Sequence, residues 1–160
     1  KGYEVGKSLI EESMLEEAKE LVANPKIVIP ESVIVSISAD EPGRITPANS
    51  IQENEAIFDI APASFVDLEP IIMNAGTILW NGPIGFFEKE NFFAGTAMIA
   101  EMIISSKGFS VAGGGDTISA AEKAGVLDSL DYVSTAGGAF LEFMEGKKLP
   151  ALEALIDKVN

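Results

Sequence analysis

Histidine and cysteine are both missing from this 160-residue chain, and each absence removes a class of chemistry. Without imidazole there is no Ser-His-Asp triad, no His-ligated zinc and no histidine acid–base catalysis. Without thiols there is no disulfide framework and no thiolate metal site, a composition that fits a cytoplasmic protein. No stretch reaches the length of apolar sequence that a membrane span requires. The opening Lys1-Gly2-Tyr3-Glu4 lacks the apolar run of a signal peptide, and it lacks an initiator methionine, as a fragment of a longer protein would. Positive charge is scarce. Eleven Lys and Arg face 25 Asp and Glu, a net charge of −14, and that field repels nucleic acid and anionic membrane. Carboxylates, hydroxyls, a few lysines and backbone amides remain for chemistry.

Hydrophobic residues make up 47% of the chain, enough to bury a core in one domain. Ser8 and Glu11 have the spacing of a capping box ahead of a helix whose apolar face is Ile10, Met14, Ala18, Leu21 and Val22, stopped at Asn24-Pro25. Ile27-Val28-Ile29 and Val33-Ile34-Val35 read as strands, and 38–55 reads as loop. From Ala56-Ile57-Phe58-Asp59-Ile60 onward, short apolar runs alternate with helical stretches. Ser64 is placed to cap a helix through Met73, which Pro70 should kink or start late. Runs at 77–80, 109–112 and 132–134 precede helices over about 91–106, 117–123 and 138–146, and a last helix spans about Leu152–Val159. This cadence predicts an α/β fold: a doubly wound, Rossmann-like parallel sheet with helices on both faces.

In such a sheet the ligand crevice lies beyond the carboxyl ends of the strands. Three strand-to-helix turns are unusual: Asn81-Gly82-Pro83-Ile84-Gly85, Gly113-Gly114-Gly115-Asp116-Thr117 and Ser134-Thr135-Ala136-Gly137-Gly138. All three should open at one rim. Consecutive glycines have no Cβ to hold a ligand off the main chain, and the following helix aims free N–H groups at it. That suits an anion such as phosphate, although glycine also serves sharp turns and close packing. Asp116 has two readings, N-cap of the helix from Thr117 or ligand to Mg²⁺ held jointly with phosphates. Glu88 either accepts hydrogen bonds from vicinal ribose hydroxyls or is a solvated glutamate near Lys89. No cation falls in the two phosphate-like turns, and no G-x-x-x-x-G-K-[ST] loop is present.

The segments Thr77-Ile78-Leu79-Trp80-Asn81-Gly82-Pro83-Ile84-Gly85-Phe86-Phe87-Glu88, Val111-Ala112-Gly113-Gly114-Gly115-Asp116-Thr117 and Ser134-Thr135-Ala136-Gly137-Gly138-Ala139-Phe140-Leu141-Glu142, with Gly146-Lys147 and the opening Gly6-Lys7-Ser8-Leu9, resemble phosphoglycerate kinase. The resemblance covers essentially the whole chain. It implies a two-domain, hinge-bending monomeric enzyme of glycolysis that moves a phosphoryl group between ATP and 3-phosphoglycerate with Mg²⁺. Residues 1–160 would be the later part of its C-terminal, nucleotide-binding domain. The N-terminal 3-phosphoglycerate-binding domain, the first strands of the sheet and the nucleotide-side lysines would lie upstream, leaving a strand edge unpaired.

By this resemblance Glu88 binds ribose and Asn81 lies near the nucleoside. Gly114, Gly115, Asp116 and Thr117 meet the nucleotide phosphates, with Asp116 on the metal. The main-chain amides of Gly115 and Gly137 stabilise the transferring group. The expected ligands are Mg²⁺ with ATP or ADP, and the chain alone is expected to lack turnover. Two departures from the family pattern are Ala136, where the family has the first of three glycines, and Ala61, where it has glycine in Asp-x-Gly-Pro. Two alternatives stand beside this reading. One is a Rossmann-type dehydrogenase or nucleotide-sugar enzyme, whose G-x-G-x-x-G signature does not occur. The other is a non-catalytic module.

Overall fold

Parallel strands need crossover helices, and the second half of the chain supplies them. The computed structural model of the protein describes residues 1–156. Strand β4 (Thr77–Asn81) pairs in parallel with β5 (Phe109–Gly113), which pairs in parallel with β6 (Tyr132–Ser134). Helix α3 (Ala94–Ser105) connects β4 to β5, and α4 (Gly115–Lys123) connects β5 to β6. The chain is therefore α/β and Rossmann-like in this half. Among the described residues β4 pairs only with β5, so its other edge is open, and Leu79 on it is exposed.

The first half differs from the sequence expectation. The run 56–60 forms β3 (Ala56–Ile60), but it does not join the parallel sheet. It pairs antiparallel with β1 (Ser32–Ser36), whose other neighbour is the antiparallel β2 (Arg44–Pro47). An apolar run does not encode its partner's direction, which tertiary pairing decides. Strand β2 lies within the stretch expected to be loop. Its one aliphatic residue, Ile45, faces solvent, so no apolar alternation announces it. What fixes it is a bidentate clamp, Arg44 Nε and Nη2 to the buried Glu55 carboxylate, each at 2.6 Å. Ile27-Val28-Ile29 is not a strand, because Asn24 folds the chain back through Lys26 N–H and Ile27 N–H.

Helix starts also shift. Ser8 does not cap a helix; its hydroxyl accepts a hydrogen bond from Ile57 N–H at 2.8 Å, tying the N-terminal segment to β3. Glu11 instead caps a short turn, Glu12–Met14, ahead of α1 (Leu15–Val22), whose apolar residues remain solvent-exposed. Ser64 bonds Ser32 through both N–H and C=O rather than capping. Pro70 then starts α2 (Glu69–Met73) late, as its missing N–H favours. Helix α3 follows a separate turn, Glu90–Phe92. Helix α5 spans Gly138–Met144, and α6 spans Pro150–Ile156, residues 157–159 of that expected helix lying outside the described ones.

The main core joins Phe65, Ile72 of α2, Trp80 of β4, Ile99 and Ile103 of α3, Ala112 of β5 and Ala120 of α4. Burying a side chain such as Phe65 or Ile103 stabilises by roughly 1.5–3 kcal/mol. A smaller cluster, Val33, Val35 and Ile51, supports the antiparallel sheet. The small alanines at 112, 120 and 121, all fully buried, let α4 approach β5 closely. That approach fixes where α4 begins, and so where its free amides point.

Candidate functional site

Register decides whether the glycine turns form one site. Asn81 lies opposite Gly113, and Gly113 lies opposite Ser134, so the last residues of β4, β5 and β6 stand side by side at one rim. All three turns leave from that rim. Their contacts bind them together. Asn81 Nδ2 donates to the Gly113 carbonyl at 2.7 Å, and Gly82 N–H donates to Thr117 Oγ1 at 2.7 Å. Phe140, in the first turn of α5, lies against Gly113, where a Cβ would collide with its ring.

The second turn is built for close main-chain approach. Gly114 is the N-cap of α4 with φ +95°, a left-handed value that favours glycine. Its missing Cβ leaves room for the Asn81 amide, which that atom would meet at 3.1 Å. A Cβ on Gly115 would meet nothing within 4 Å, so the space before this residue is open. The first α4 bond runs from Ile118 N–H to Gly114 O at 3.0 Å, leaving the amides of Gly115, Asp116 and Thr117 at the helix start. They coincide with the positive end of the helix dipole.

Asp116 is not the N-cap, which corrects one of its two readings, since Gly114 holds that position. Its carboxylate is exposed in the first turn, and among the described residues it has no hydrogen-bond or ion-pair partner. Thr117 is placed differently from a simple phosphate contact. It is 1% exposed, and its hydroxyl is engaged by Gly82 N–H. Its backbone amide stays at the helix start.

In the third turn Gly137 takes φ +56°, and a Cβ on Gly137 or Gly138 would meet nothing within 4 Å. Among the described residues only glycines have positive φ, so Ala136 fits the turn without strain. The first turn carries Trp80 in the core, its Nε1 donating to Gly82 O at 2.9 Å. Glu88 is exposed on the loop beyond it, and Lys89 pairs with Asp40 at 2.6 Å rather than with Glu88.

Beside that loop lies an open, largely apolar cavity of about 780 Å³, lined among others by Leu9, Phe58, Pro83, Ile84 and Phe86. Segment 84–86 is sewn to its surroundings by Phe86 N–H to Phe58 O at 2.7 Å and by Ile84 N–H to the buried Thr96 hydroxyl at 3.1 Å. Ala61 is fully buried and does not line the cavity.

Sequence reasoning missed Asp59. This carboxylate is 1% exposed at the cavity wall, and it accepts hydrogen bonds from Gly95 N–H at 2.9 Å and Ile60 N–H at 2.8 Å. Burial pushes its pKa above the usual carboxylate value, and the two N–H donors oppose that rise. A Cβ on either Gly85 or Gly95 would strike it, so both glycines owe their identity to this group. Glycines at 85 and 95, flanking the aromatic pairs Phe86-Phe87 and Phe92-Phe93, were the available signal.

For Mg²⁺ the donor set is the test. Among the described residues no group of three or more Asp or Glu converges as an all-protein cage would require. A lone, unpaired carboxylate beside open amides instead suits an ion that takes most of its remaining oxygens from ligand phosphates and water. Asp116 fits that role.

Comparison with known proteins gives this geometry a context. The family model for phosphoglycerate kinase matches residues 1–147. The structure of phosphoglycerate kinase from Coxiella burnetii is 42% identical, with a TM-score of 0.88, over 95% of this chain and 41% of that one. Phosphoglycerate kinase from Pyrococcus horikoshii OT3 is 33% identical, with a TM-score of 0.78, over 89% of this chain and 36% of that one. This chain thus spans about two-fifths of the length of these relatives.

Proposed function

Because the chain belongs to the phosphoglycerate kinase family, we propose that it is the later part of that family's C-terminal, nucleotide-binding domain and holds Mg-ATP or Mg-ADP at its glycine rim. The observation that carries this reading is the pairing of Asn81, Gly113 and Ser134 in adjacent register, which brings three amide-rich turns to one edge. The phosphates lie against the amides of Gly114, Gly115, Asp116 and Thr117. Ribose hydroxyls donate to Glu88, and Asn81 stands at the nucleoside end. The base enters the apolar cavity between Phe58, Leu9 and the Pro83–Phe86 turn.

Transfer between ATP and 3-phosphoglycerate spreads charge over the equatorial oxygens of the moving phosphoryl group. A Cβ on Gly115 or Gly137 would meet nothing within 4 Å, so a ligand has room to approach their amides, and main-chain donors of this kind stabilise such charge without reorganisation. Asp116 would hold Mg²⁺, which would supply charge neutralisation at the phosphates. No cation falls within the three turns themselves: Lys7 lines the apolar cavity, Lys89 pairs with Asp40, and Lys123 sits at the far end of α4. The counter-charges and the 3-phosphoglycerate site therefore come from the remainder of a family-length protein, and this chain alone binds nucleotide weakly and does not turn over.

Calorimetry with Mg-ADP tests the reading. Saturable heat is expected at millimolar ligand, and Asp116→Asn should weaken it about tenfold without weakening the binding of metal-free ADP, since it removes a charge that repels phosphate. No heat with the unsubstituted chain, or equal loss with and without Mg²⁺, would remove the basis for the site. Production of ATP from 1,3-bisphosphoglycerate by the 160-residue chain would refute its inactivity.

A further inference from the structure

Among the described residues Glu88 has no side-chain partner, yet the loop that carries it is gripped on both sides of it by one side chain. Lys123, in the last turn of α4, donates from Nζ to the Phe87 carbonyl at 2.7 Å. The same ammonium lies 3.5 Å from the Glu90 carboxylate and 4.4 Å from the centre of the Phe93 ring. It thus contacts the residue immediately before Glu88, the residue two beyond it and the ring at the start of α3. A Lys in the last turn is also favoured by the helix dipole, so its position on α4 is stable.

The other end of this loop is held by the same helix. Gly82 N–H donates to the buried Thr117 hydroxyl in the first turn of α4. Helix α4 therefore carries the open amides at its start and fixes the loop 82–93 at two points, Thr117 and Lys123. The carbonyl bond is the more telling one. An ammonium on a backbone oxygen fixes main chain rather than another mobile side chain, and Phe87 next to it is buried. Between Phe87 and Glu90 stand Glu88 and Lys89, and Lys89 is held by its N–H to Phe86 O at 3.0 Å and by its ammonium to Asp40.

We propose that Lys123 is a positioning residue that sets where the Glu88 carboxylate stands relative to the phosphate end of the site. The assignment rests on the nucleotide reading above. Lys123 does not touch the ligand. It makes the ribose end and the phosphate end parts of one rigid unit, so that discrimination at the ribose depends on a group at the opposite end of a helix.

The test compares the unsubstituted chain with Lys123→Met and Lys123→Arg. Mg-ADP, Mg-2′-deoxy-ADP and Mg-pyrophosphate are titrated by calorimetry, and amide hydrogen exchange is measured without ligand. Loss of one hydrogen bond to a carboxylate should make the unsubstituted chain bind 2′-deoxy-ADP about tenfold more weakly than ADP. In Lys123→Met that ratio should fall to about two, with faster exchange at Glu88 and Lys89 and unchanged pyrophosphate binding. Lys123→Arg should restore the ratio, because a guanidinium also donates to the carbonyl. An unchanged ratio in Lys123→Met, or an equal loss for all three ligands, would overturn the proposal while the nucleotide reading stands. If the unsubstituted chain binds pyrophosphate but does not distinguish the two nucleotides, the ribose reading falls and this proposal falls with it.

Discussion

Gly113 and Phe140 are a single packing decision made by two residues. The ring of Phe140 occupies the place where a Cβ on Gly113 would be, which draws the start of α5 onto the end of β5. Gly113→Ala should cost about 1–3 kcal/mol by overpacking. Adding Phe140→Ala should recover part of that loss, a coupling of about 0.5–3 kcal/mol readable by denaturant unfolding of the two single variants and the double variant. Additive losses would mean that the ring has room to move. Glu55 offers a different residue-scale test. Hydrogen bonds from the Arg44 guanidinium hold its carboxyl below the usual range against the opposing effect of burial, and Gln52 N–H adds to the lowering. A folded-state pKa below the unfolded value contributes stability above the ordinary glutamate range and loses it as pH falls through the folded value. Glu55→Gln should therefore melt lower than the unsubstituted chain at pH 7, and the gap should close toward pH 3. A gap that persists in acid would show that the geometry of the clamp matters and its charge does not.

Elements carry the next level, and here the reach of sequence reading divides cleanly. The strands β4, β5 and β6, their helices and the shared rim were legible, because apolar runs of this length between glycine turns have few other solutions. The place of Asp116 in the second turn was legible too, whereas its reading as N-cap was not sound, because Gly114 takes that position. The direction of β3 was not legible, since pairing depends on β1, whose partner residues lie twenty or more positions away. Strand β2 was hidden because its stability comes from an ion pair rather than from alternation. Thr117 shows the limit most clearly: its sequence position suggests a ligand contact, while its hydroxyl serves as the joint between α4 and the β4 turn. Thr117→Val should leave Gly82 N–H unsatisfied and cost about 1–3 kcal/mol, and Thr117→Ser should restore most of it. Urea unfolding measures both. If the valine variant is as stable as the parent, the two turns are held by packing alone.

Over the whole molecule the controlling quantity is net charge. At −14 the chain repels the polyphosphate proposed for its rim. The amides at the starts of α4 and α5 act within a few ångströms, whereas the carboxylate field acts across the protein. Salt separates the two, because the screening length falls from about 30 Å at 0.01 M to about 8 Å at 0.15 M. A site that depends on lysine loses affinity for an anion as salt rises. This one should gain: Mg-ADP affinity should increase about two- to tenfold between 10 and 150 mM potassium glutamate, since long-range repulsion is screened while contact with the amides is not. The melting temperature without ligand should rise over the same range, because self-repulsion among 25 acidic residues is relieved as well. Calorimetry and thermal unfolding across a salt series measure both responses. Affinity that falls with salt while the melting temperature rises would place a cation of this chain against the phosphates, and the division between an amide cradle here and counter-charge elsewhere in a family-length protein would fail.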